Sequence, residues 1–189
     1  LLAKSLLLNN KNARVIYDTR LTWNTIEVVK KHLGKPILSK SGHSFIKQSM
    51  RQEDALYGGE MSAHHYFRDF YYCDSGMIPW LLVTELMSNS GESLSSMIAQ
   101  YKKNYPVSGE INRSVKDVTE VIHLIRKEYE KDSVHIDTTD GISLEFVDWR
   151  FNLRASNTEP LIRLNVESRG DRKLMLLKTE ELLSKIESS

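Results

Sequence analysis

The sequence predicts an α/β domain followed by a smaller α+β domain. In the first half, short apolar runs alternate with helical patterns, as expected where crossover helices join the strands of one sheet. In the second half, two strands with alternating apolar and polar residues flank a short polar segment at residues 154–160. Between these halves, residues 102–113 lose the periodicity and are rich in turn-forming residues. We therefore predict domains at residues 1–105 and 106–189.

The elements of the first domain follow from apolar runs and from helix-end signals. Residues 14–18 are typical of a strand, and Thr22 is placed to cap a helix whose inward side chains include Val29 and Leu33. Pro79 falls in the first turn of a later helix, where the missing N–H costs no hydrogen bond. The other elements predicted here are strands at residues 36–38, 55–57 and 66–72, and helices near residues 45–50, 79–87 and 93–101.

The second domain is predicted to be a small sheet covered on one face by two helices. Ser114 and Asp117 resemble a capping box at the start of the first helix, which extends to about residue 131. The apolar face of this helix includes Val121 and Ile125, and the second helix begins at Asp171. The strands predicted between the two helices lie at residues 134–136, 142–154 and 161–167.

The strand that precedes residues 154–160 should have one buried face. Along it, apolar residues alternate with polar ones, and the polar set ends in Arg154, which should therefore point away from the apolar side. The apolar set consists of Val147, Trp149, Phe151 and Leu153. The returning strand alternates in the same way and places Arg163 on the face that carries Arg154.

Composition excludes several classes of protein. Lys and Arg number 26 against 25 for Asp and Glu, so a formal net charge of +1 gives no general attraction to nucleic acid or to an anionic membrane. Cys73 is the sole cysteine, which excludes an internal disulfide framework and fits a reducing cytoplasm; we expect it in the core. No apolar run reaches the ~20 residues of a membrane span. Because the chain begins without Met, we expect it to be a piece of a longer protein.

Residues 154–160, which read Arg-Ala-Ser-Asn-Thr-Glu-Pro, are typical of a phosphate-binding turn. Arg154 contributes a guanidinium and Asn157 an amide, while Ser156 and Thr158 contribute hydroxyls. Together with the backbone N–H groups of a tight turn, these groups can enclose phosphate oxygens. The alternative is a polar hairpin loop in which Ser and Asn serve turn geometry alone.

Residues 58–65, which read Gly-Gly-Glu-Met-Ser-Ala-His-His, form a second polar cluster after a predicted strand. Glu60, Ser62 and His64 suit a polyol, because a carboxylate accepts from hydroxyls while Ser and His both donate and accept. A solvated loop is the alternative, and a zinc site is disfavoured because no third ligand follows at a usual spacing.

Three further polar residues stand at the end of a predicted strand or at the start of a predicted helix. Arg20 follows the first strand, at the edge where open α/β sheets bind ligands. Lys40 and His43 stand at the start of the next helix, and an imidazole there can carry protons near neutral pH. An ordinary helix entry with a structural His is the alternative.

Three motifs in this order and spacing resemble the α-D-phosphohexomutase superfamily, and most closely its bacterial phosphomannomutases. They are Lys-Ser-Gly-His at residues 40–43, Gly-Glu-Met-Ser-Ala-His at residues 59–64, and the segment at residues 154–160. Phosphoglucosamine mutases of this superfamily tend to carry Gln in place of Met61 and Gly in place of Asn157, so these residues favour the phosphomannomutase branch. The resemblance implies that the chain is the third and fourth of four domains.

The resemblance also implies an activity. Such enzymes interconvert mannose 6-phosphate and mannose 1-phosphate through a bisphosphorylated sugar, supplying GDP-mannose for surface polysaccharide. Their phosphoserine loop and Asp-x-Asp-x-Asp magnesium loop lie in the first two domains. The implied cofactors are therefore Mg²⁺ bound outside this chain and a hexose 1,6-bisphosphate activator, and the chain alone is expected to be inactive. The implied partners are a hexose phosphate and the preceding domains of the same protein.

By the same resemblance, each candidate residue has an implied role. Glu60 and Ser62 would bind the 3- and 4-hydroxyls of the sugar, while His43 would move the hydroxyl proton. The residues that would also line the sugar site are Arg20, Lys40 and His64. The residues that would bind the non-reacting phosphate are Arg154, Ser156, Asn157 and Thr158. No metal ligand is expected in this chain. A non-catalytic phosphosugar-binding regulatory module is the alternative function.

Overall fold

The computed structural model describes residues 1–156 and 159–188, which divide into two compact units, Leu1–Lys102 and Lys103–Ser189. The first unit contains, in chain order, α1 (Leu2–Leu8), β1 (Arg14–Asp18), α2 (Trp23–Lys31), β2 (Lys35–Ser39), α3 (His43–Gln52), β3 (Tyr57–Gly59), β4 (His65–Phe67), a 3-10 turn (Arg68–Phe70), β5 (Cys73–Asp74) and α4 (Met77–Ser90). Helix α5 (Leu94–Asn104) spans the division. No helix of the described part has both the length and the apolar character to cross a bilayer.

The first unit is a mixed sheet with helices on both faces. Its strand order is β2-β1-β3-β4-β5; the first three strands are parallel and the last two are antiparallel. Neighbouring residues of β1 point to opposite faces. Val15 packs in one apolar cluster with Val29 of α2, whereas Ile16 packs in another with Ile46 and Met50 of α3. The predicted mixed α/β domain is confirmed.

Several local predictions in the first unit are wrong. Leu33, expected to face inward, is exposed, because α2 ends at Lys31 and Leu33 adopts a left-handed φ of 60°. Thr22 is the N-cap of α2 but makes no side-chain capping hydrogen bond. The single strand predicted at residues 66–72 ends at Phe67, because a 3-10 turn and two left-handed tyrosines follow it. Cys73 is half-buried on the edge strand β5 rather than in the core.

The second unit is an antiparallel sheet covered on one face by two helices, as predicted. Its elements are β6 (Ile111–Ser114), α6 (Val118–Tyr129), a 3-10 turn (Glu130–Asp132), β7 (His135–Asp137), β8 (Ile142–Glu145), β9 (Trp149–Ala155), β10 (Leu161–Ser168) and α7 (Arg172–Ser188). The strand order is β6-β10-β9-β8-β7. Alternate residues of the three central strands form one apolar core with Ile125 of α6 and Leu182 of α7.

Three predictions for the second unit need correction. The strand predicted at residues 142–154 is two strands, β8 and β9, joined by a reversal in which Val147 is 71% exposed. The capping residue of α6 is Asp117, whose carboxylate accepts from the backbone N–H groups of Thr119 and Glu120, while Ser114 belongs to β6. Strand β6 is absent from the predicted elements, because its four residues lie at the end of a segment rich in turn formers.

The polar face of β9 and β10 is buried as well. Arg150 and Glu167 stand opposite each other in the strand register, and their side chains, each 1% exposed, form an ion pair of 2.8 Å. Glu145 lies 3.6 Å from the same guanidinium. A charge taken out of water needs such a partner, because its desolvation is costly. The alternation in sequence therefore predicts which face of the sheet is apolar and which is charged. It does not predict that only the apolar face is buried.

Glu167→Gln tests this buried pair. We expect the substitution to lower the free energy of unfolding of the second unit by roughly 3 kcal/mol, because the shape is kept while the charge of Arg150 loses its main partner. Thermal or urea unfolding followed by circular dichroism measures the change.

The matched control is Glu187→Gln. Glu187 pairs with Arg113 at 2.7 Å, but both side chains are substantially exposed, so the expected cost is about 0.2–1 kcal/mol. Equal losses in the two variants would show that burial is not what makes the Arg150–Glu167 pair important.

Candidate functional site

The polar residues of the first unit gather at one edge of its sheet. Strands β1, β2 and β3 are parallel, so their carboxyl ends meet there, at Asp18, Ser39 and Gly59. The chain moves from β1 outward to β2 and then crosses β1 to reach β3, with α2 and α3 on opposite faces. Such a reversal of strand order opens a crevice at the carboxyl edge, where α/β sheets bind ligands.

Asp18 fixes the position of Arg20. The backbone N–H of Arg20 donates to Oδ1 of Asp18 at 3.0 Å, and its guanidinium Nε donates to Oδ2 at 2.8 Å. Oδ2 also accepts from the backbone N–H of Met61 at 3.0 Å, which ties the loop after β3 to the end of β1. Both side chains are buried. Asp18 is a site residue that the sequence analysis missed, although its place at the end of a strand two residues before Arg20 was visible.

Glu60 joins three segments of the site. Its Oε1 accepts from the backbone N–H of Gly42 at 2.9 Å, its Oε2 accepts from the hydroxyl of Tyr66 at 2.6 Å, and Arg20 lies 3.5 Å away. Burial and this hydrogen bond raise the pKa of Tyr66, so its hydroxyl stays protonated and donates. The Glu60 side chain is 3% exposed. Each carboxylate oxygen retains further acceptor capacity, so a sugar hydroxyl would share Glu60 with these partners.

Ser62 and His64 lie in a tight turn after β3. The hydroxyl of Ser62 accepts from the guanidinium of Arg20 at 3.3 Å. Backbone hydrogen bonds of 3.0 Å, from Ala63 to Glu60 and from Glu60 to His64, close the turn. Ala63 adopts a left-handed φ of 64°, a conformation that costs an L-residue roughly 1–2 kcal/mol. The strained residue Ala63 thus lies between Ser62 and His64, and its left-handed backbone sets the direction in which the two side chains leave the turn.

His43 and His64 converge on Asp74. The Nδ1 atoms of the two imidazoles lie 3.6 and 3.5 Å from opposite oxygens of the Asp74 carboxylate, and the ring centroids are 4.2 Å apart. Asp74 is not among the predicted site residues, since nothing in the spacing of residues 43, 64 and 74 indicates that they meet. His65 points elsewhere: its Nδ1 lies 2.7 Å from the Tyr57 hydroxyl, and burial, with the neighbouring His64, lowers the pKa of His65.

Lys40 is not drawn into this cluster. Its Nζ stands 4.9 Å from the centroid of the Phe45 ring, a cation–π arrangement between the segment before α3 and the first turn of that helix. The structure thus brings Arg20, Glu60 and Ser62 into one hydrogen-bonded network and His43 with His64 into a neighbouring one. Gly42, whose N–H binds Glu60 and whose next residue is His43, connects the two networks.

In the second unit, two guanidinium groups share one carboxylate beside the segment at residues 154–160. Arg154 and Arg163 are opposite each other in the register of β9 and β10. Glu110 accepts from both, from Arg154 at 3.0 Å and from Arg163 at 3.1 Å. Arg163 also donates to the hydroxyl of Ser156 at 3.1 Å. Glu110 is a further residue that the sequence analysis missed, and Asn157 and Thr158 lie outside the described residues.

Gly141 allows the backbone to approach Arg154 closely. With a φ of 71°, it packs so tightly that an added Cβ would lie 2.3 Å from the carbonyl oxygen of Leu153 and 2.6 Å from Cβ of Arg154. The neighbouring Asp140 carbonyl accepts from the side-chain amide of Asn152 at 3.0 Å. The turn at Gly141 therefore packs directly against Leu153 and Arg154, at a distance that leaves no room for a Cβ atom.

Two family models match the chain along most of its length. The model described as "Phosphoglucomutase/phosphomannomutase, alpha/beta/alpha domain III" matches residues 1–105, and that described as "Phosphoglucomutase/phosphomannomutase, C-terminal domain" matches residues 109–184. The chain belongs to this family. The resemblance inferred from the three motifs is confirmed, as is the fold class.

Relatives in this family are longer proteins. The chain is 60% identical to a phosphomannomutase of Escherichia coli, over 97% of this chain and 40% of that protein, and 57% identical to a phosphomannomutase of Vibrio cholerae, over 96% and 40%. A solved phosphoglucomutase/phosphomannomutase family protein from Burkholderia thailandensis superposes with a TM-score of 0.80 at 26% identity, over 99% of this chain and 40% of that one. The chain spans about 40% of the length of these relatives.

The described residues do not fit the magnesium ion that the family resemblance implies. Mg²⁺ prefers near-octahedral oxygen ligands. The group of potential metal ligands that converges in the described part of the chain consists of His43, His64 and Asp74, in which two of the three ligand atoms are nitrogens.

Gly141→Ala tests whether close backbone approach supports Arg154. An alanine in this left-handed conformation costs roughly 1–2 kcal/mol by itself, and the collision with Leu153 and Arg154 should add about 1–3 kcal/mol. Thermal unfolding of the second unit measures the total.

Gly170→Ala is the matched control, because Gly170 has a φ of 69° but an added Cβ there would meet no atom within 4 Å. It should show the conformational cost alone. Identical melting temperatures for the two variants would mean that the turn at Gly141 can move away from Arg154 without loss.

Proposed function

We propose that this chain supplies the sugar-binding and phosphate-binding parts of a phosphomannomutase that interconverts mannose 6-phosphate and mannose 1-phosphate through a bisphosphorylated sugar. The observation that carries the proposal is the pair of guanidinium groups of Arg154, the first residue of the segment at 154–160, and Arg163, which stands opposite it in the strand register. Two forked donors at one point match the oxygens of a phosphate. The phosphomannomutases of E. coli and V. cholerae, at 60% and 57% identity, support this choice of substrate.

In the second unit, the phosphate that is not reacting would bind at residues 154–160. Arg154 is buried and fixed by Glu110, so little rotamer freedom is left to lose when the phosphate binds. Ser156, already bonded to Arg163, would add a hydroxyl. Asn157 and Thr158 complete the proposed set from their place in the sequence. Binding energy at this remote phosphate would be used to orient the sugar at its reacting end.

In the first unit, the network around Glu60 would bind the sugar. Glu60 and Ser62 would contact the 3- and 4-hydroxyls, which lie midway between the two phosphorylated ends and so stay in similar places when the sugar turns over. Arg20, His64 and Lys40 would line the same site. His43, at the first position of α3, is the proposed carrier of the hydroxyl proton.

The rest of the reaction would come from groups outside the described residues. We propose that the phosphoserine and Mg²⁺ belong to the preceding domains of the family, with a hexose 1,6-bisphosphate as activator; the ion would offset charge on the transferred phosphoryl group. We place the domains at residues 1–105 and 106–189. The product would serve GDP-mannose and surface polysaccharide synthesis in the cytoplasm, and neither nucleic acid nor a membrane is a proposed partner.

The 189-residue chain by itself is predicted to be inactive. Its residues can orient a sugar phosphate, but none of the proposed site residues donates or accepts a phosphoryl group. A coupled assay with mannose 1-phosphate, Mg²⁺ and a bisphosphate activator should give no turnover above background. Turnover by the purified chain would contradict the proposed division of roles between domains.

Arg154→Ala in the complete four-domain enzyme tests the phosphate site. Hydrogen bonds to charged groups contribute about 1.5–3 kcal/mol, so kcat/KM should fall by roughly one to two orders of magnitude for both mannose phosphates. Arg154→Lys should restore part of the activity, because an ammonium keeps the charge and loses the fork.

Arg113→Ala is the control, since Arg113 lies on the same sheet but pairs with exposed Glu187. It should leave the kinetics unchanged. Melting curves establish that each variant is folded. A folded Arg154→Ala enzyme with wild-type efficiency would exclude the phosphate role and favour the regulatory module or a polar hairpin without function.

A further inference from the structure

The cluster of His43, His64 and Asp74 has the composition of a transition-metal site. Two imidazole nitrogens and a carboxylate come within 4.8 Å of one another. Imidazole with carboxylate is the ligand set that zinc and neighbouring divalent ions take in open protein sites, usually with a fourth position left for water or a ligand. Mg²⁺ is disfavoured by the two nitrogens.

The spacing of the three side chains supports the same conclusion. The Nδ1 atoms lie 3.6 and 3.5 Å from the Asp74 oxygens, which is longer than the 2.7–3.2 Å of an N–H···O hydrogen bond. Zinc bonds of about 2.0–2.2 Å place tetrahedral ligand atoms about 3.3–3.6 Å apart. The two nitrogen-to-oxygen distances are therefore close to those between ligands of a shared ion and longer than hydrogen bonds, while the three ligand atoms lie within 4.8 Å of one another.

The backbone keeps the three ligands in place. His43 is the first residue of α3, and the N–H of the preceding Gly42 is fixed by buried Glu60. The carbonyl of His64 accepts from the N–H of Glu60 at 3.0 Å. Asp74 lies on β5, paired with Tyr66 of β4. Because these hydrogen bonds exist before any ion arrives, an ion would find its ligands already close together.

We propose that His43, His64 and Asp74 bind one divalent transition-metal ion of the zinc class. The side chains are 49%, 43% and 37% exposed, so the ion has access from solvent and keeps at least one position open. His43 and His64 also belong to the proposed sugar site. On that part of the proposal, which rests on the proposed function, such an ion inhibits the enzyme because it occupies imidazole nitrogens that the substrate needs.

Calorimetric titration of the 189-residue chain with ZnCl₂, in a buffer that does not chelate metals, tests the site without substrate. One ion should bind per chain. The single variants His43→Gln, His64→Gln and Asp74→Asn should each weaken binding by at least about tenfold, the range in which even outer-shell changes act. Co²⁺ offers an independent signal, because tetrahedral coordination gives intense visible absorption that each variant should reduce at the same Co²⁺ concentration.

Two control variants exclude other ligands. His123 is exposed on α6, so His123→Gln should bind zinc like the parent chain. Cys73 is a free thiol next to Asp74, and Cys73→Ser should also retain binding. Circular dichroism verifies that each variant is folded. Each of the three ligand variants is an independent test, because unchanged zinc binding in a folded variant would exclude that residue as a ligand.

Two outcomes would overturn the metal site. One is the absence of saturable zinc binding to the folded chain, and the other is binding that survives loss of each proposed ligand or disappears in Cys73→Ser. Neither outcome bears on the phosphomannomutase proposal, whose test lies at Arg154. Conversely, an inactive phosphate site would leave the zinc titration unaffected.

Discussion

Three buried arginines of the described residues each have a guanidinium that faces a carboxylate, and two of them lie in the candidate sites. Arg20 is paired with Asp18, Arg150 with Glu167, and Arg154 with Glu110. A guanidinium does not lose its proton in a protein, so a buried arginine needs a compensating negative charge. The carboxylates are in turn fixed on strands or on loops that adjoin them. Placement of the arginines therefore decides how the neighbouring loops can be arranged.

The pairing also separates two kinds of arginine. Arg150 lies between two carboxylates on neighbouring strands, so its charge is satisfied within the sheet. Within the described residues, Arg154 and Arg163 share the carboxylate of Glu110, so two positive charges face one negative charge where residues 154–160 begin. A dianionic phosphate is the kind of ligand that such an excess attracts at short range in a chain whose overall charge is +1. Local imbalance, rather than net charge, would therefore account for the phosphate binding that we propose for this segment.

The sequence was informative about where polar clusters lie and weak about which side chains meet there. It predicted the strand at residues 14–18 and the polar clusters at residues 58–65 and 154–160, because periodicity and turn residues are local signals. It did not predict Asp18, Asp74 or Glu110 as site residues. Asp74 meets His43 across 31 positions (74 − 43), and Glu110 meets Arg154 across 44 positions. Contacts of that kind depend on strand order and register, which a single sequence does not reveal.

The burial of polar strands has the same origin. Alternation on β9 correctly placed Arg154 opposite the apolar face, yet Asn152 and Arg154 are almost as buried as Phe151. Whether the polar face of a sheet meets water depends on what packs over it, and periodicity carries no information on that. Where a polar face is buried, its charges must be neutralised internally. The three carboxylates that were not predicted, Asp18, Asp74 and Glu110, are the partners of buried arginines or of converging histidines. An Arg or His near the end of a predicted strand therefore indicates that a carboxylate partner lies close to it in the fold.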